Sequence, residues 1–324
     1  MEKLFNWCFI GTGKLANKIA KVILSSGHHK IVSCYTRNYE KCCDFANKFN
    51  AKPFKNAEDA IKCEGVDAVY VVTPHNAHYR FAKIALENKI PVLCEKAFTI
   101  NKEEAKDLIE IASKNNVYLC EAMWTWFNEP ALKMKKWVND KVIGNIDYAF
   151  FNYHLNSKNY APRVADPKRG GGALLDITVY PIAFSYYLFG YPKNIIAKAK
   201  LGNGIDLIDD ITFKYDDFDV DISASIVDFK GLEKIKIVGK DGKILSRSIH
   251  CPSKVKLKTK NRKEVFNYDT SNGRPYLVQF DTVASEIKEG LKQSRYIPLK
   301  NTYDIMEIMD EIRNQIGLVY NNLE

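Results

Sequence analysis

Residues 7–16 read Trp7-Cys8-Phe9-Ile10-Gly11-Thr12-Gly13-Lys14-Leu15-Ala16. Four apolar residues make a short buried strand, and the glycine loop opens a helix that runs to Leu24. The string fits G-x-G-x-x-G/A in the context that gives it meaning, directly after a strand and at the start of a helix. The glycines permit a tight turn and close backbone approach. The helix N-terminus offers unpaired N–H groups and the positive end of its dipole to a pyrophosphate. Gly11, Thr12, Gly13, Lys14 and Leu15 are therefore candidate contacts to a bound dinucleotide.

The pattern continues outward from that loop. Ile31–Tyr35, Asp67–Val72, Val92–Cys94 and Val117–Glu121 are near-continuous apolar runs, alternating with helical segments at 39–49, 78–88 and 102–115. Strands of that kind belong to a parallel sheet covered on both faces. Residues 1–122 thus read as an α/β Rossmann domain. Residues 123–324 have a different texture: a helix at 130–138, a strand at 145–154, a glycine run at 170–172 and a helix at 173–189. From Asn194 to His250 strand-length runs are separated by turn signals such as Gly202-Asn203-Gly204 and Asp241-Gly242, which predicts a mostly antiparallel sheet in an α+β domain. Helices at 275–289 and 302–320 end the chain and can pack back on the first domain.

The second strand ends Cys34-Tyr35-Thr36-Arg37-Asn38, without an acid. NAD sites usually place Asp or Glu there to accept hydrogen bonds from the ribose 2′-hydroxyl. A carboxylate would repel the 2′-phosphate of NADP, whereas Arg37 can grip it through charge-assisted bonds. Thr36 and Asn38 can add neutral ones. NADP is the expected cofactor, with NAD the alternative. Thr73-Pro74-His75-Asn76-Ala77-His78 follows the fourth strand and Glu95-Lys96 the fifth, both at the carboxyl edge where such sheets bind ligands. Thr73, Pro74, His75, His78, Glu95 and Lys96 join the candidate cofactor contacts. Downstream, Asp176 and Tyr180 are four apart on a helix and so share a face.

These motifs together resemble the glucose–fructose oxidoreductase, inositol dehydrogenase and MocA family, in particular its dihydrodiol and xylose dehydrogenase branch. The resemblance spans the chain: the glycine loop, Glu95-Lys96, Glu121-Ala122-Met123-Trp124, the segment from Gly170 to Pro181, and Ile305 to Arg313. It implies a large, mostly antiparallel open sheet in the C-terminal domain, through which a homodimer forms. It also implies a nicotinamide-dependent dehydrogenase acting on a hydroxyl of a sugar or diol. Lys96 matches the lysine of the family's Glu-Lys-Pro motif, Asp176 the substrate-orienting aspartate, and Tyr180 the presumed acid/base. Hydride removal from a carbinol also requires loss of the hydroxyl proton, so a base must lie within reach. Tyrosine ionises near pH 10, and a neighbouring ammonium lowers that value. Lys96 is expected to tune Tyr180 while Asp176 orients the substrate. Two positions depart from the family pattern: Ala97 replaces the proline, and Trp126 stands where close relatives more often carry arginine. Trp124, Trp126 and His154 are candidate substrate contacts, and Arg163 and Arg169 can reach an acidic group from the loop before the glycine run.

Composition agrees. The net charge of +9 is spread through helices and turns, often beside glutamates, so no nucleic-acid partner is expected. No apolar run approaches the roughly 20 residues needed to span a bilayer, and no signal peptide is recognisable, which gives the expectation of a cytoplasmic protein without a membrane partner. The eight cysteines form no CxxC pair, so neither zinc nor another metal is expected. Two other functions remain open: a dinucleotide-binding regulator, and a redox-neutral elimination in which the cofactor is reduced and reoxidised within one cycle.

Overall fold

The structure is a computed structural model that describes residues 3–156, 162–228 and 231–320. It divides into two compact units, residues 1–127 with 271–303 and residues 128–270 with 304–324. The 122/123 boundary read from the sequence lies just before the first unit's end at Phe127.

The first unit follows the alternation seen in the sequence. Its elements are β1 (Phe5–Ile10), α1 (Lys14–Ser25), β2 (His29–Tyr35), α2 (Tyr39–Phe49), β3 (Lys52–Phe54), α3 (Ala57–Ile61), β4 (Ala68–Val71), α4 (His78–Glu87), β5 (Val92–Glu95), α5 (Lys102–Asn115) and β6 (Leu119–Ala122). The short β3 and α3 lack a clear periodicity and were not apparent in the sequence. All six strands are parallel, in the order β3-β2-β1-β4-β5-β6. That is the doubly wound order, with its crevice at the carboxyl ends of β1 and β4, where the strand order reverses. Asn38, Asn56 and Asn101 cap α2, α3 and α5 with their side chains, satisfying amides that a helix start leaves unpaired.

The second unit carries α6 (Glu129–Asn139), β7 (Ile146–Asn156), a π-helical turn (Leu174–Thr178), α7 (Val179–Phe189), β8 (Asn194–Gly202), β9 (Ile205–Lys214), β10 (Asp219–Asp228), β11 (Leu232–Gly239), β12 (Gly242–Ser246), β13 (Lys254–Thr259) and β14 (Lys263–Asn267). They make an eight-stranded sheet, β14-β13-β12-β11-β7-β10-β9-β8, antiparallel except where β7 and β10 run parallel. On the inner face Phe151 meets Phe184 of α7, ring centroids 5.5 Å apart. On the opposite face the ammonium groups of Lys234 and Lys236 cover the rings of Phe150 and Tyr148. Among the described residues one helical stretch, Pro167–Phe189, is long and apolar enough to cross a membrane, and 89% of its most apolar 18-residue window is buried within the protein. It serves the core.

Of the last two helices, α8 (Arg274–Lys288) belongs to the first unit. It lays Phe280 against Trp7 at 4.8 Å and Tyr70 at 5.0 Å, and fully burying such a ring contributes about 1.5–3 kcal/mol. The other, α9 (Leu299–Ile316), begins in the first unit and passes into the second. There Asp304 accepts from the Tyr186 hydroxyl at 2.6 Å.

Candidate active site

The glycine loop turns sharply because Gly11 takes φ +108, and a Cβ there would come within 2.5 Å of the Val72 carbonyl oxygen on β4. Gly13 is the N-cap of α1 and has no side-chain partner for the helix's first amides. A Cβ on Gly13 would meet nothing within 4 Å, so the space in front of those amides is open. Thr12, Gly13 and Lys14 border a cleft of about 1080 Å³ to which Lys18, Lys21 and Lys41 add positive charge. Leu15 is half-buried in the first turn. This is the cradle a pyrophosphate requires.

The end of β2 keeps its expected character: Thr36 is half-buried and Arg37 exposed. Asn38 differs from the expectation, because its Oδ1 accepts from the Lys41 amide at 2.9 Å as the cap of α2. The turn after β4 contributes Thr73, whose buried hydroxyl has no partner among the described residues and so suits a polar ligand atom. Pro74 is half-buried, and His75 is buried edge-on to His78, ring centroids 5.6 Å apart. His78 faces the carbonyl oxygens of Thr73 and Ala97, each at 2.9 Å. Those contacts make it a tie between two turns rather than a group presented to a ligand. These features fit a dinucleotide.

Beside that turn β5 delivers Glu95 and Lys96. Glu95 is buried and accepts from the Tyr70 hydroxyl at 2.5 Å, so this carboxylate is engaged in the interior. The Lys96–Ala97 peptide is cis, and Lys96 is half-buried. Beneath them lies Glu121, 1% exposed, which accepts from the Thr302 hydroxyl at 3.0 Å. Burial pushes the Glu121 carboxyl up to about 7 with help from Glu95, against the hydrogen bonds from Thr302 and the Phe98 amide and the charge of Lys96. Trp124 stacks on Tyr276 at 4.3 Å, and Trp126 is 1% exposed. At that burial the Trp126 ring packs in the interior.

In the second unit the glycine run leads into the π-helical turn that bears Asp176, followed by α7, which bears Tyr180. The i, i+4 argument assumed an uninterrupted α-helix, but a π turn intervenes. Asp176 is buried and paired with Arg163, whose guanidinium donates to its Oδ1 at 2.9 Å. Arg169 pairs instead with Asp166 at 3.0 Å on the surface. Tyr180 keeps 9% exposure and belongs to an aromatic group that the sequence did not reveal. The Tyr153 ring lies 5.9 Å away, and the His250 ring stands edge-on at 5.9 Å. Tyr153 and His250 stack on each other at 5.0 Å with an interplanar angle of 7°. Glu233 holds His250 through Nδ1 at 2.7 Å and accepts from the Ile249 amide at 2.9 Å. Burial raises this carboxyl, but the hydrogen bonds and charge of His250 outweigh it and hold Glu233 below its ordinary range.

A cleft of about 1600 Å³ is bordered mostly from the outer face of the sheet, by Phe150, Asn152, Lys234 and Lys256 among others, and also by Tyr153, Glu233, Ser248 and His250. His154 shares its rim but follows Tyr153 on β7, so its side chain leaves from the other face of the sheet. There Nδ1 lies 2.6 Å from Asp228 and Nε2 3.1 Å from Ser223. The structure therefore separates His154 from Tyr180 and puts His250 beside it.

Comparison with known proteins identifies the family. Residues 5–122 match the oxidoreductase family with an NAD-binding Rossmann fold, and residues 131–245 match the GFO/IDH/MocA C-terminal domain. Scyllo-inositol 2-dehydrogenase (NADP(+)) IolU of Bacillus subtilis is 27% identical over 98% of both chains. Trans-1,2-dihydrobenzene-1,2-diol dehydrogenase of Xenopus laevis is 29% identical over 97% of this chain and 98% of its own. In fold the chain is similar to KijD10, a 3-ketoreductase of Actinomadura kijaniata solved with NADP and TDP-benzene, with TM-score 0.87 and 18% identity over 97% of this chain and 98% of that one. A parallel sheet in doubly wound order, its glycine cradle and the open antiparallel sheet thus accompany matches along most of the sequence, and the chain belongs to the GFO/IDH/MocA family of NAD(P)-binding oxidoreductases.

Proposed function

We propose that this oxidoreductase prefers NADP and interconverts a secondary hydroxyl and a carbonyl on a sugar, polyol or cyclic diol. Arg37 carries the cofactor preference: it is exposed at the end of β2, and residues 34–38 contain no carboxylate to repel a 2′-phosphate. Gly11, Thr12, Gly13, Lys14 and Leu15 would hold the pyrophosphate, and Thr73, Pro74 and His75 would line the nicotinamide side. When bound, the cofactor supplies the hydride acceptor or donor.

The chain's own groups manage the proton and the substrate. Tyr180 takes the hydroxyl proton in oxidation and returns it in reduction, and the Lys96 ammonium favours the phenolate form. Asp176 is oriented by Arg163 and accepts a hydrogen bond from a neighbouring substrate hydroxyl. Vicinal hydroxyls are what an acceptor working with an acid/base recognises. Two similar proteins are named for acting on diols of that kind, an inositol and a dihydrodiol. His250, aligned by Glu233, contributes a polar edge beside Tyr180.

The assembly in this reading is a homodimer through the outer face of the eight-stranded sheet. That face is lysine-rich on β11 and β13 and mixed on β8 to β10, where Lys198, Lys200 and Lys214 accompany the aspartates. Lys234, Lys236 and Lys256 lie on β11 and β13, while Asp210, Asp219 and Asp221 lie on β9 and β10, with β7 between. A two-fold axis near β7 sets each lysine-rich half against the partner's strands that carry these aspartates, since such an interface is self-complementary. A cytoplasmic location belongs to the same reading and is supported by eight cysteines that are all free thiols. Incubating the purified protein with NADP and with NAD over polyols, inositols, aldoses and cyclic diols tests the proposal. Turnover faster with NADP on a vicinal diol supports it, and turnover only with NAD removes the role given to Arg37.

A further inference from the structure

The π-helical turn that bears Asp176 rests on two carboxyl groups, Asp206 and Asp209, both 0% exposed. On a regular strand residues three apart point to opposite faces. Here Lys200 of β8 pairs with Ile208 and Leu201 pairs with Asp206, so Leu207 is an extra residue in β9. A bulge of this kind re-aims side chains and brings both carboxyls to one side. Oδ2 of Asp206 accepts from the Leu174 amide at 2.5 Å, and Oδ2 of Asp209 accepts from the Thr178 hydroxyl at 2.6 Å. The first and last residues of the π turn are therefore each held by one carboxyl. Gly172 makes the approach possible, because a Cβ there would collide with Asp206 Oδ1.

The second oxygen of each group poses the question. Oδ1 of Asp206 and Oδ1 of Asp209 are buried and accept no well-formed hydrogen bond among the described residues, the amides of Ala173 and of Asp206 itself facing the Asp206 carboxyl, while the two carboxyls are hydrogen-bonding neighbours of one another. Around them lie Val164, Ala173, Ile177, Ile205 and Ala224. Two carboxylates this close cannot both stay ionised in an apolar interior, and a proton between them provides the missing donor. We propose that Asp206 and Asp209 share one proton across their Oδ1 atoms, and that this acid–carboxylate pair positions the π-helical turn carrying Asp176. The second half of the proposal rests on the substrate-orienting role given to Asp176 above.

The surroundings agree. Burial raises Asp206 to about 6 and Asp209 well above its ordinary value, the charge of Asp206 adding to the second shift. Asp210, next on β9, raises Asp209 further. On the π turn the charged group is Asp176, already paired with Arg163, and before it Asp166 is paired with Arg169. The β-sheet partners of Asp209 are Ala199 and Ala224 and that of Asp206 is Leu201, while Lys198 sits opposite Asp210. Further along β10 lie Asp221 and Asp228.

Infrared difference spectra between the wild-type chain and Asp209→Asn at pH 7 read the proton directly. The expected result is a carboxylic-acid C=O band that is present in the wild type and missing in both Asp209→Asn and Asp206→Asn. A wild-type spectrum without that difference overturns the shared proton, as it would if a bound cation held the two oxygens. Positioning is read by kinetics. Asp209→Asn, whose amide N–H replaces the proton, should keep kcat within about threefold, while Asp209→Ala should lower it about tenfold or more with NADP affinity unchanged. Equal losses in the two variants overturn the positioning role. The infrared result needs no substrate, so an acid band in a protein that turns over no polyol supports the proton pair while removing the substrate reading.

Discussion

The Nδ1 atom of His78 lies 2.9 Å from the carbonyl oxygen of Ala97, the residue after Lys96, and its Nε2 lies 2.9 Å from the carbonyl of Thr73. One buried imidazole thus joins the turn after β4 to the turn after β5. Burial lowers its pKa to about 4, assisted by the charge of Lys96 and opposed by the bonds to Thr73, Ala97 and Phe98. A neutral ring has a single N–H to donate, so it satisfies one carbonyl at a time. In the unfolded chain this histidine binds a proton near pH 6.5, whereas the folded chain resists it. Its contribution, of about 3 kcal/mol, is present above pH 6.5 and is lost as pH falls towards 4. His78→Leu should therefore flatten the acid limb of a melting-temperature profile. It should also lower kcat about tenfold by loosening the turn that holds Lys96, and an unchanged kcat would separate the tie from catalysis.

Glu121 has the opposite sign. Its folded pKa of about 7, raised chiefly by burial, exceeds the ordinary carboxyl value. Stability from the neutral form is complete below about pH 4.5 and declines as pH rises to 7, by about 3 kcal/mol. Glu121→Gln keeps a neutral hydrogen-bonding group in the same volume. The melting temperature of this variant relative to the wild type should climb between pH 4.5 and 7, and a difference that does not vary with pH would contradict the assignment.

The cofactor preference proposed for Arg37 gives a third prediction. Removing one charge-assisted contact costs about 1.5–3 kcal/mol, so Arg37→Ala should raise KM for NADP between roughly tenfold and a hundredfold and leave KM for NAD within about twofold. Arg37→Asp should reverse the preference. Equal changes for both cofactors would place Arg37 outside the 2′-phosphate site.

The lysine-rich strands on the outer face of the second unit give a prediction about assembly. Lys234→Glu with Lys236→Glu places acid opposite acid in the proposed interface. Sedimentation should show dimers for the wild type that weaken with salt, and monomers for the double variant. A wild-type monomer at micromolar concentration removes the interface.

Much of the first unit was legible because local rules and tertiary structure agree there. An apolar strand, a glycine turn and a helix start are all written within residues 7–16, and the doubly wound order follows from strand–helix alternation. The second unit shows where that legibility ends. Its hairpins as far as β12 were visible as alternation and turn residues. The π turn under Asp176 left no local mark, because the bulge at Leu207 and the two buried aspartates that support it come from a strand thirty residues later. His250 was missed for a related reason: it lies seventy residues from Tyr180 in a connection after β12, and only the register of β7 with β11 brings Glu233 and Tyr153 together beside it. His154 attracted notice as a histidine near a strand end, yet strand parity sends it to the other face. Trp126 was part of a recognisable motif, but a motif does not reveal which of its rings faces inward.

The central claim is that Tyr180 carries the proton in an NADP-linked oxidation. Its most direct test follows reduced-nicotinamide absorbance during oxidation of a vicinal polyol by the wild type and by Tyr180→Phe, with NADP affinity measured separately. General acid–base catalysis is worth about 10²–10⁴-fold, so the variant should lose roughly a thousandfold in kcat while binding NADP as the wild type does. A variant that turns over within a few fold of the wild type would contradict the account.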